Sequence, residues 1–203
     1  MEGNMYKNVV KRIIDFILAL IGLIILIIPM ILVAIAIKIE SKGPVIFKQD
    51  RLGYKGKVYK MYKFRSMCVG AEKTGSGVYS DKNDARVTKV GKFIRATSID
   101  ELPQLVNVLK GDMALIGFRS PLTYHPWTWD KYTDEQKKMF NVRPGITGWA
   151  QVTGFRGATK ELSQMEGRVK KDIWYIENWS FLLDLRIMYK TVVNVMRGDK
   201  NAY

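Results

Sequence analysis

The stretch that decides the fold is Phe16–Ile37, with the sequence FILALIGLIILIIPMILVAIAI, which runs for 22 residues without a charged side chain. An α-helix rises about 1.5 Å per residue, so this segment reaches roughly 33 Å and matches the ~30 Å hydrocarbon core of a bilayer. A buried helix of a water-soluble domain is a weak alternative, because the segment has no polar face. The sequence therefore predicts a membrane protein.

Pro29 lies inside this apolar segment and predicts a kink, because proline lacks an N–H group and clashes with the carbonyl four residues earlier. Basic residues stand on both sides: Lys7, Lys11 and Arg12 precede the segment, and Lys38, Lys42, Lys48 and Arg51 follow it. A straight span would move one basic cluster across the membrane, against the positive-inside rule. A helix bent at Pro29 returns both clusters to the cytoplasmic face, where each cation is worth about 1 kcal/mol near anionic headgroups. The flanks therefore favour a re-entrant hairpin over a span.

The charge balance calls for an acidic partner. The chain of 203 residues carries 33 Lys and Arg against 19 Asp and Glu, a net charge of +14. Such a surface fits nucleic acid, anionic lipid or a phosphorylated substrate, but the sequence contains no recognisable nucleic-acid-binding module. A single cysteine, Cys68, and a single histidine, His125, argue against a disulfide framework, a Cys-rich zinc site and His-based catalytic triads.

Beyond residue 42 the pattern changes to short strands and helices. The β-prone runs Val45–Phe47 and Val58–Phe64 bracket a glycine-containing turn and predict a hairpin, and residues 70–85 predict a polar loop. Helices are predicted over Ser98–Leu109, Asp130–Phe140 with a capping box at Thr133–Gln136, about Thr159–Tyr175, and Phe181–Met196. The apolar stripe of the last helix fits packing on a core as well as a position in the membrane interface. These elements indicate an α+β fold in one membrane-anchored unit.

The most informative window is Ser98–Gln104, SIDELPQ. Ser98 and Glu101 have the spacing of a capping box, which places Asp100 and Glu101 in the first turn of a helix. Free N–H groups at that end keep carboxylates ionised and attract phosphate. Acidic residues also favour helix N-termini for stability alone, so the spacing by itself does not assign a function.

Basic residues add weight to a functional interpretation of this pair. Six of them stand at turns, at a strand end or just before the acidic pair: Lys63, Arg65, Arg95, Arg119, Arg143 and Arg156. The planar fork of arginine suits phosphate oxygens. Together these residues predict a site for a diphosphate.

Five stretches carry a recognisable pattern: Ser98–Asp112 (SIDELPQLVNVLKGD), Arg143–Val152 (RPGITGWAQV), Tyr62–Met67 (YKFRSM), Lys11–Asp15 (KRIID) and Ser180–Ile187 (SFLLDLRI). They closely resemble the bacterial sugar transferase family, the monotopic phosphoglycosyl transferases. The resemblance covers nearly the whole chain in the family's order. A chain of this length is expected to be the minimal catalytic form, without the extra N-terminal membrane helices of larger members.

The resemblance implies transfer of a phosphosugar from a UDP-sugar to a polyprenyl phosphate with release of UMP, the first membrane step of a bacterial glycoconjugate pathway. It implies Asp100 as the nucleophile, which forms a phosphosugar-aspartyl intermediate in a ping-pong reaction, and Glu101 as a ligand of Mg²⁺. Lys63, Arg95, Arg119, Arg156 and Asp172 match positions that the family associates with its active site.

The same resemblance divides the chain. Residues 1–42 are expected to form a membrane-inserted re-entrant hairpin broken at Pro29, and residues 43–203 a small catalytic domain with amphipathic interfacial helices. The domain is expected at the cytoplasmic face of the bacterial inner membrane, in contact with membrane lipids. The motifs select neither one sugar, one glycan pathway nor one oligomeric state. A non-catalytic membrane scaffold or anionic-lipid-binding protein is the alternative.

Three positions depart from the family pattern. Ile28-Pro29 replaces Ser-Pro at the membrane break, Gly117-Phe118-Arg119-Ser120-Pro121 replaces Gly-Pro-Arg-Pro, and Thr153 stands where Asn is common. The second change is expected to loosen the loop that carries Arg119. None removes a catalytic carboxylate, so their expected effects are on the stability of the hairpin and on sugar preference.

Overall fold

The structure is a computed structural model, and it describes residues 2–73, 84–123, 132–157 and 162–197. Within these ranges the helices are α1 (Glu2–Glu40), α2 (Lys89–Ala96), α3 (Gln104–Lys110), α4 (Asp134–Lys137), α5 (Trp149–Val152), α6 (Leu162–Glu177) and α7 (Phe181–Arg197). The strands form two small sheets: β1 (Ile46–Leu52) pairs antiparallel with β2 (Val58–Phe64), and β3 (Ala114–Ile116) pairs parallel with β4 (Gly145–Thr147). This mixture of helices and small sheets confirms the α+β class.

Helix α1 runs from Glu2 to Glu40 as one helix with Pro29 inside it. The bend expected at Pro29 and the re-entrant hairpin are therefore not confirmed. Among the described residues, the segment Val9–Glu40 is the one helix long and apolar enough to cross a membrane. Most of its large side chains face outward, with Ile24 and Ile28 exposed to 66% and 68%, so this helix carries a broad apolar surface that water does not favour.

One stripe of α1 packs against the rest of the chain. Ala19 belongs to a core cluster with Leu105 and Val108 of α3. Further along, Ile37 belongs to a second cluster, with Phe64 of β2 and Ile94 of α2. The spacing of these contacts along α1 is that of one helical face, and the opposite face remains exposed.

Both ends of α1 are hydrogen-bonded to this same body. Near its start, the Arg12 guanidinium donates to the Val108 carbonyl and, at 3.0 Å, to the Leu109 carbonyl at the end of α3. At its end, the Glu40 carboxylate accepts from the N–H groups of Lys89 at 2.7 Å and Val90 at 3.2 Å, at the start of α2. Charged side chains at helix ends complement the partial charges there. Helix α1 is thereby held to the domain from one end to the other.

The predicted hairpin is confirmed, with a first strand that continues to Leu52. In its register, Phe47 lies opposite Lys63 and Arg51 lies opposite Tyr59. Asn107 of α3 ties the helix to β2, because its side chain accepts from the Tyr62 N–H at 2.9 Å and donates to the Lys60 carbonyl at 2.8 Å. The hairpin and α3 therefore form one rigid support for the residues that precede α3.

The remaining helices follow the predictions closely. The capping box at Thr133 and Gln136 is formed, although α4 ends at Lys137 and a 3₁₀ turn continues to Asn141. Helices α6 and α7 lie where the periodicity predicts them. The predicted starts at Asp130 and Thr159, His125, and most of the predicted loop over residues 70–85 lie outside the described residues.

Helix α7 has a packed inner face and an apolar outer face. Its inner face is packed, with Asp184 and Ile187 buried. Its outer face exposes large apolar side chains, including Leu182 at 75%, Tyr189 at 72% and Met196 at 82%. The helix thus packs on the core and still presents an apolar outer surface.

Candidate active site

Asp100 and Glu101 lie in a short 3₁₀ turn, Ile99–Glu101, directly before α3. The predicted capping box at Ser98 is wrong. Ser98 adopts the left-handed conformation, with φ 59°, and its side chain caps no N–H group of the turn. Instead its hydroxyl accepts a hydrogen bond of 2.6 Å from the Arg156 guanidinium. The Ser98 hydroxyl therefore binds Arg156, which is distant in sequence, and does not cap the turn.

Glu101 is an ion-paired carboxylate. The Lys63 ammonium lies 2.7 Å from its Oε1 atom. Burial alone would raise the pKa of Glu101, but the positive charges of Lys63, Arg119 and Arg156 outweigh burial and hold that pKa well below its usual range. Glu101 is therefore an anion throughout the physiological pH range.

Asp100 is a buried carboxylate with an unused oxygen. It is 5% exposed, and its Oδ1 atom has no hydrogen-bond partner. Burial raises the pKa of Asp100 and the neighbouring Glu101 raises it further, while Lys63 and Arg95 oppose the rise. The pKa of Asp100 is therefore raised overall, because burial outweighs the cations around it, and the expectation that the helix N-terminus keeps it ionised stays a prediction.

Four of the six predicted cations converge on this acidic pair, whereas Arg65 and Arg143 donate elsewhere, to the Lys42 and Gly111 carbonyls. Lys63 and Arg95 act on Asp100, and Arg119 and Arg156 act on Glu101 together with Lys63. Arg95, in the last turn of α2, donates from Nε to the Ser66 hydroxyl at 2.8 Å, which fixes its direction. The fold thus brings residues from β2, α2 and two loops around two adjacent carboxylates.

The loop that carries Arg119 is firmly held, contrary to the expectation of loosening. Phe118 is fully buried and packs edge-on against Phe140, with 5.1 Å between the ring centroids. The Ser120 hydroxyl donates to the Leu52 carbonyl at 2.6 Å, and the Leu52 N–H donates to the Pro121 carbonyl at 3.0 Å. The residues that replace the family's prolines therefore anchor the loop to the core and to the end of β1.

Asp172 is buried behind this loop and does not line the cleft at the acidic pair. It accepts a long hydrogen bond, 3.4 Å, from the Arg119 N–H. Burial raises the pKa of Asp172 to about 7, against the opposing charges of Arg168 and Arg119. Its position suits support of the Arg119 loop. Pro29 lies on α1 and is also absent from the cleft lining.

An open cleft lies beside Glu101, and its polar lining consists of Arg51, Lys63, Glu101, Gln104, Arg119 and Ser120. Sequence reasoning missed three of these residues as site residues: Arg51, Gln104 and Ser120. Gln104 lies in the first turn of α3, where it is 2% exposed. Arg51 was grouped with the cations that follow the apolar segment. Because side chains alternate along a strand, Arg51 lies on the same face of the hairpin as Phe47, which is opposite Lys63. This alternation could have indicated that Arg51 is a site residue.

The donor set at this site fits Mg²⁺. In the parts of the chain that the structure describes, no group of three or more His, Cys, Asp or Glu residues could hold a metal ion. Mg²⁺ is commonly bound by one or two carboxylates and by substrate phosphates. The anionic Glu101 and the unpartnered Oδ1 of Asp100 provide carboxylate oxygens of that kind.

Comparison with known proteins identifies related chains. A family model described as bacterial sugar transferase matches residues 6–198. UDP-glucose:undecaprenyl-phosphate glucose-1-phosphate transferases of Xanthomonas campestris pv. campestris and Klebsiella pneumoniae are 44% and 48% identical over 100% and 98% of this chain. A UDP-N-acetylgalactosamine-undecaprenyl-phosphate N-acetylgalactosaminephosphotransferase of Aeromonas hydrophila is 41% identical over 93% of it. The chain spans 42%, 43% and 44% of these three relatives, respectively.

Proposed function

The chain belongs to the bacterial sugar transferase family, and from this membership and its acidic pair we propose that it transfers a sugar phosphate from a UDP-sugar to a polyprenyl phosphate and releases UMP. The names of these relatives describe this kind of transfer to undecaprenyl phosphate, with either glucose or N-acetylgalactosamine. The proposed donors for this chain are therefore UDP-activated hexoses and N-acetylhexosamines.

The observation that carries the proposal is the contrast within the pair. Glu101 is bound by Lys63, whereas Asp100 keeps a buried oxygen without a partner. Leaving a buried carboxylate oxygen unpaired costs free energy and calls for an explanation, of which a catalytic role is one. A carboxylate placed in this way among cations is suited to attack a phosphorus atom.

In the first step, an oxygen of Asp100 attacks the phosphorus next to the sugar. A bond forms between that oxygen and the phosphorus, and the bond from the phosphorus to the bridging oxygen breaks. The bridging oxygen leaves with the electron pair as part of UMP, so the sugar phosphate remains on Asp100 as an acyl phosphate. Lys63 and Arg95 face Asp100 and favour its ionised, nucleophilic form.

In the second step, a phosphate oxygen of the polyprenyl phosphate attacks the same phosphorus. The bond between the phosphorus and Asp100 breaks, the carboxylate is restored, and the product is a polyprenyl diphosphate sugar. Both steps transfer a phosphoryl group, for which positioned cations supply most of the catalysis. Lys63, Arg95, Arg119 and Arg156 have this role in the proposal.

Glu101 is the residue proposed to hold Mg²⁺, with phosphate oxygens of the donor as further ligands. When bound, the ion would neutralise negative charge on the diphosphate. The proposal predicts that EDTA stops turnover and that added Mg²⁺ restores it.

The proposed placement is at the cytoplasmic face of the bacterial inner membrane, with α1 entering and leaving on one side. Contacts at both ends of α1, from Arg12 and from Glu40 to the same domain, support this placement, because a straight crossing would separate one end from the domain. The exposed apolar side chains of α1 and of the outer face of α7 supply the surface for lipid.

Topology can be tested separately from chemistry. A cysteine at Glu2, in a background without the exposed Cys68, is treated with a membrane-impermeant thiol reagent. The one-sided placement predicts labelling in lysed cells and none in intact cells. Labelling of intact cells, with the catalytic domain inside, would refute it.

The chemistry is tested by trapping the intermediate. Incubation with a UDP-sugar and Mg²⁺, without polyprenyl phosphate, should release about one UMP per enzyme and add one sugar phosphate to Asp100, as located by mass spectrometry. The control Asp50→Asn changes an exposed carboxylate that pairs with Lys60, and it should form the adduct normally. An adduct on another residue would overturn the nucleophile assignment, and wild type that releases no UMP would favour the lipid-binding alternative.

A further inference from the structure

The two faces of the β1–β2 hairpin differ in what they contact. Because side chains alternate along a strand, the register places Arg51, Met61 and Lys63 on one face, and these three line the cleft beside Glu101. The other face carries Lys60, which forms an exposed ion pair with Asp50. Arg51 therefore faces the cleft, unlike its neighbours on the outer face of the hairpin.

Arg51 lies at the far end of the cleft from the acidic pair. Its backbone is paired with that of Tyr59, four residues before Lys63 along β2. The backbones at Tyr59 and Lys63 are therefore about 13 Å apart. Lys63 is bound to Glu101 at the other end. A ligand whose reacting phosphorus lies at Asp100 would extend toward Arg51 with its remaining half.

The Arg51 guanidinium is held in a defined direction. Its Nε and Nη2 atoms donate to the Gln49 side-chain oxygen at 3.1 and 2.7 Å, and its Nη1 atom donates to the Ser120 carbonyl at 2.7 Å. The same Ser120 anchors the Arg119 loop through its hydroxyl. A guanidinium that is already oriented loses little freedom when it binds an anion.

The charges of the cleft also match a diphosphate. Among the described residues that line it, Arg51, Lys63 and Arg119 are cations and Glu101 is the one carboxylate. The lining thus has an excess of two positive charges. A diphosphate diester carries two negative charges, so the cleft attracts a nucleoside diphosphate sugar.

We propose that Arg51 is a binding residue for the nucleotide half of the donor and contacts the phosphate that leaves as UMP. This inference rests on the proposed function, because that function sets the direction in which the donor lies. Lys63 and Glu101 serve the phosphorus that reacts, and Arg51 serves the one that departs.

The test compares Arg51→Gln with Lys60→Gln, which removes the same charge from the outer face of the same hairpin. Arg51→Gln should weaken UMP binding, measured by titration calorimetry, by about 10- to 100-fold, the range for a lost charged hydrogen bond. The KM for the UDP-sugar should rise similarly. Lys60→Gln should leave both values within about twofold of wild type.

A second measurement needs no variant. UMP should protect Arg51 of the wild-type protein from phenylglyoxal, as read by mass spectrometry, and glucose 1-phosphate should protect it much less. Equal UMP binding by Arg51→Gln and wild type, or no protection of Arg51 by UMP, would each overturn the inference. Loss of the proposed function would show differently, as UMP binding by wild type without any UMP release.

Discussion

Two buried aspartates of this chain, Asp100 before α3 and Asp184 on α7, have opposite surroundings. They are similarly buried, at 5% and 7% exposure, and each has a lysine nearby. Asp184 accepts hydrogen bonds from the Tyr175 hydroxyl at 2.6 Å, the Lys11 ammonium at 2.8 Å and the Trp179 indole at 3.0 Å. Asp100 leaves its Oδ1 atom without a partner.

The difference separates structural from chemical use of the same side chain. The Asp184 carboxylate joins α1, α6 and α7 by accepting hydrogen bonds from all three of these donors. At Asp100 one buried oxygen has no hydrogen-bond partner, so this oxygen does not contribute to the stability of the protein. An unpaired oxygen alone does not mark a site, because Asp172 also has a buried oxygen without a partner and lies outside the cleft lining. At Asp100 the unpaired oxygen lies next to Glu101, which lines the cleft, and this position supports the proposed chemistry.

The largest expected effect is on activity. Asp100→Asn should lower multiple-turnover UMP release by at least about 10³-fold, because an amide is no nucleophile. Asp184→Asn should retain activity within about threefold per folded molecule. UMP release in detergent micelles with a UDP-sugar and undecaprenyl phosphate measures the activity of both variants. Normal turnover by Asp100→Asn would show that Asp100 is no more important for activity than Asp184.

The next effect is on stability and has the opposite order. Asp184→Ala should cost about 2–4 kcal/mol of unfolding free energy, because it leaves the Tyr175 and Trp179 donors without this acceptor and Lys11 with Asp15 as its remaining carboxylate. Asp100→Asn should cost less than about 1 kcal/mol or increase stability, since it removes a buried charge. Urea unfolding in micelles checks this ranking, which an equal loss in both variants would contradict.

A smaller effect concerns the pH dependence of activity. The pKa of Asp100 is raised by burial and by Glu101, so the ionised nucleophile is lost at a higher pH than for an ordinary aspartate of about 3.9. Activity should therefore rise with pH along an acid limb above that value. Lys63→Gln removes an opposing charge and should move the limb up by about one pH unit. Pre-steady-state rates between pH 4.5 and 8.5 measure the limb, with Lys60→Gln as the control that should leave it in place.

The smallest effect is at Asp172. Burial raises its pKa to about 7, above the unfolded value of 3.8, so its favourable contribution to stability is complete below pH ~4 and is lost as pH rises through ~7. Asp172→Asn does not titrate and keeps an acceptor for the Arg119 N–H. Its Tm relative to wild type should therefore rise by several degrees between pH 5 and pH 8. A difference that is constant with pH would show that Asp172 does not titrate as described.

Local patterns in the sequence predicted local structure well. The hairpin β1–β2 follows from alternation around a short turn, and the cap at Thr133 from an oxygen and an N–H three residues apart. The cap at Ser98 failed although its spacing is the same, because Arg156, 58 residues away, binds the hydroxyl. The parallel pair β3–β4 was also missed, since each strand has three residues and its partner lies far along the chain.

The sequence by itself determined the apolar segment at Phe16–Ile37, the positive charge, the α+β pattern and the acidic pair with its cations, because each is written in residue type and short spacing. Only the tertiary structure decided which carboxylate is bound and which is bare, and that Arg51 faces the cleft. These outcomes depend on burial and on contacts between residues tens of positions apart. The electrostatic free energy of a carboxylate is set by such neighbours, which no short stretch of sequence contains.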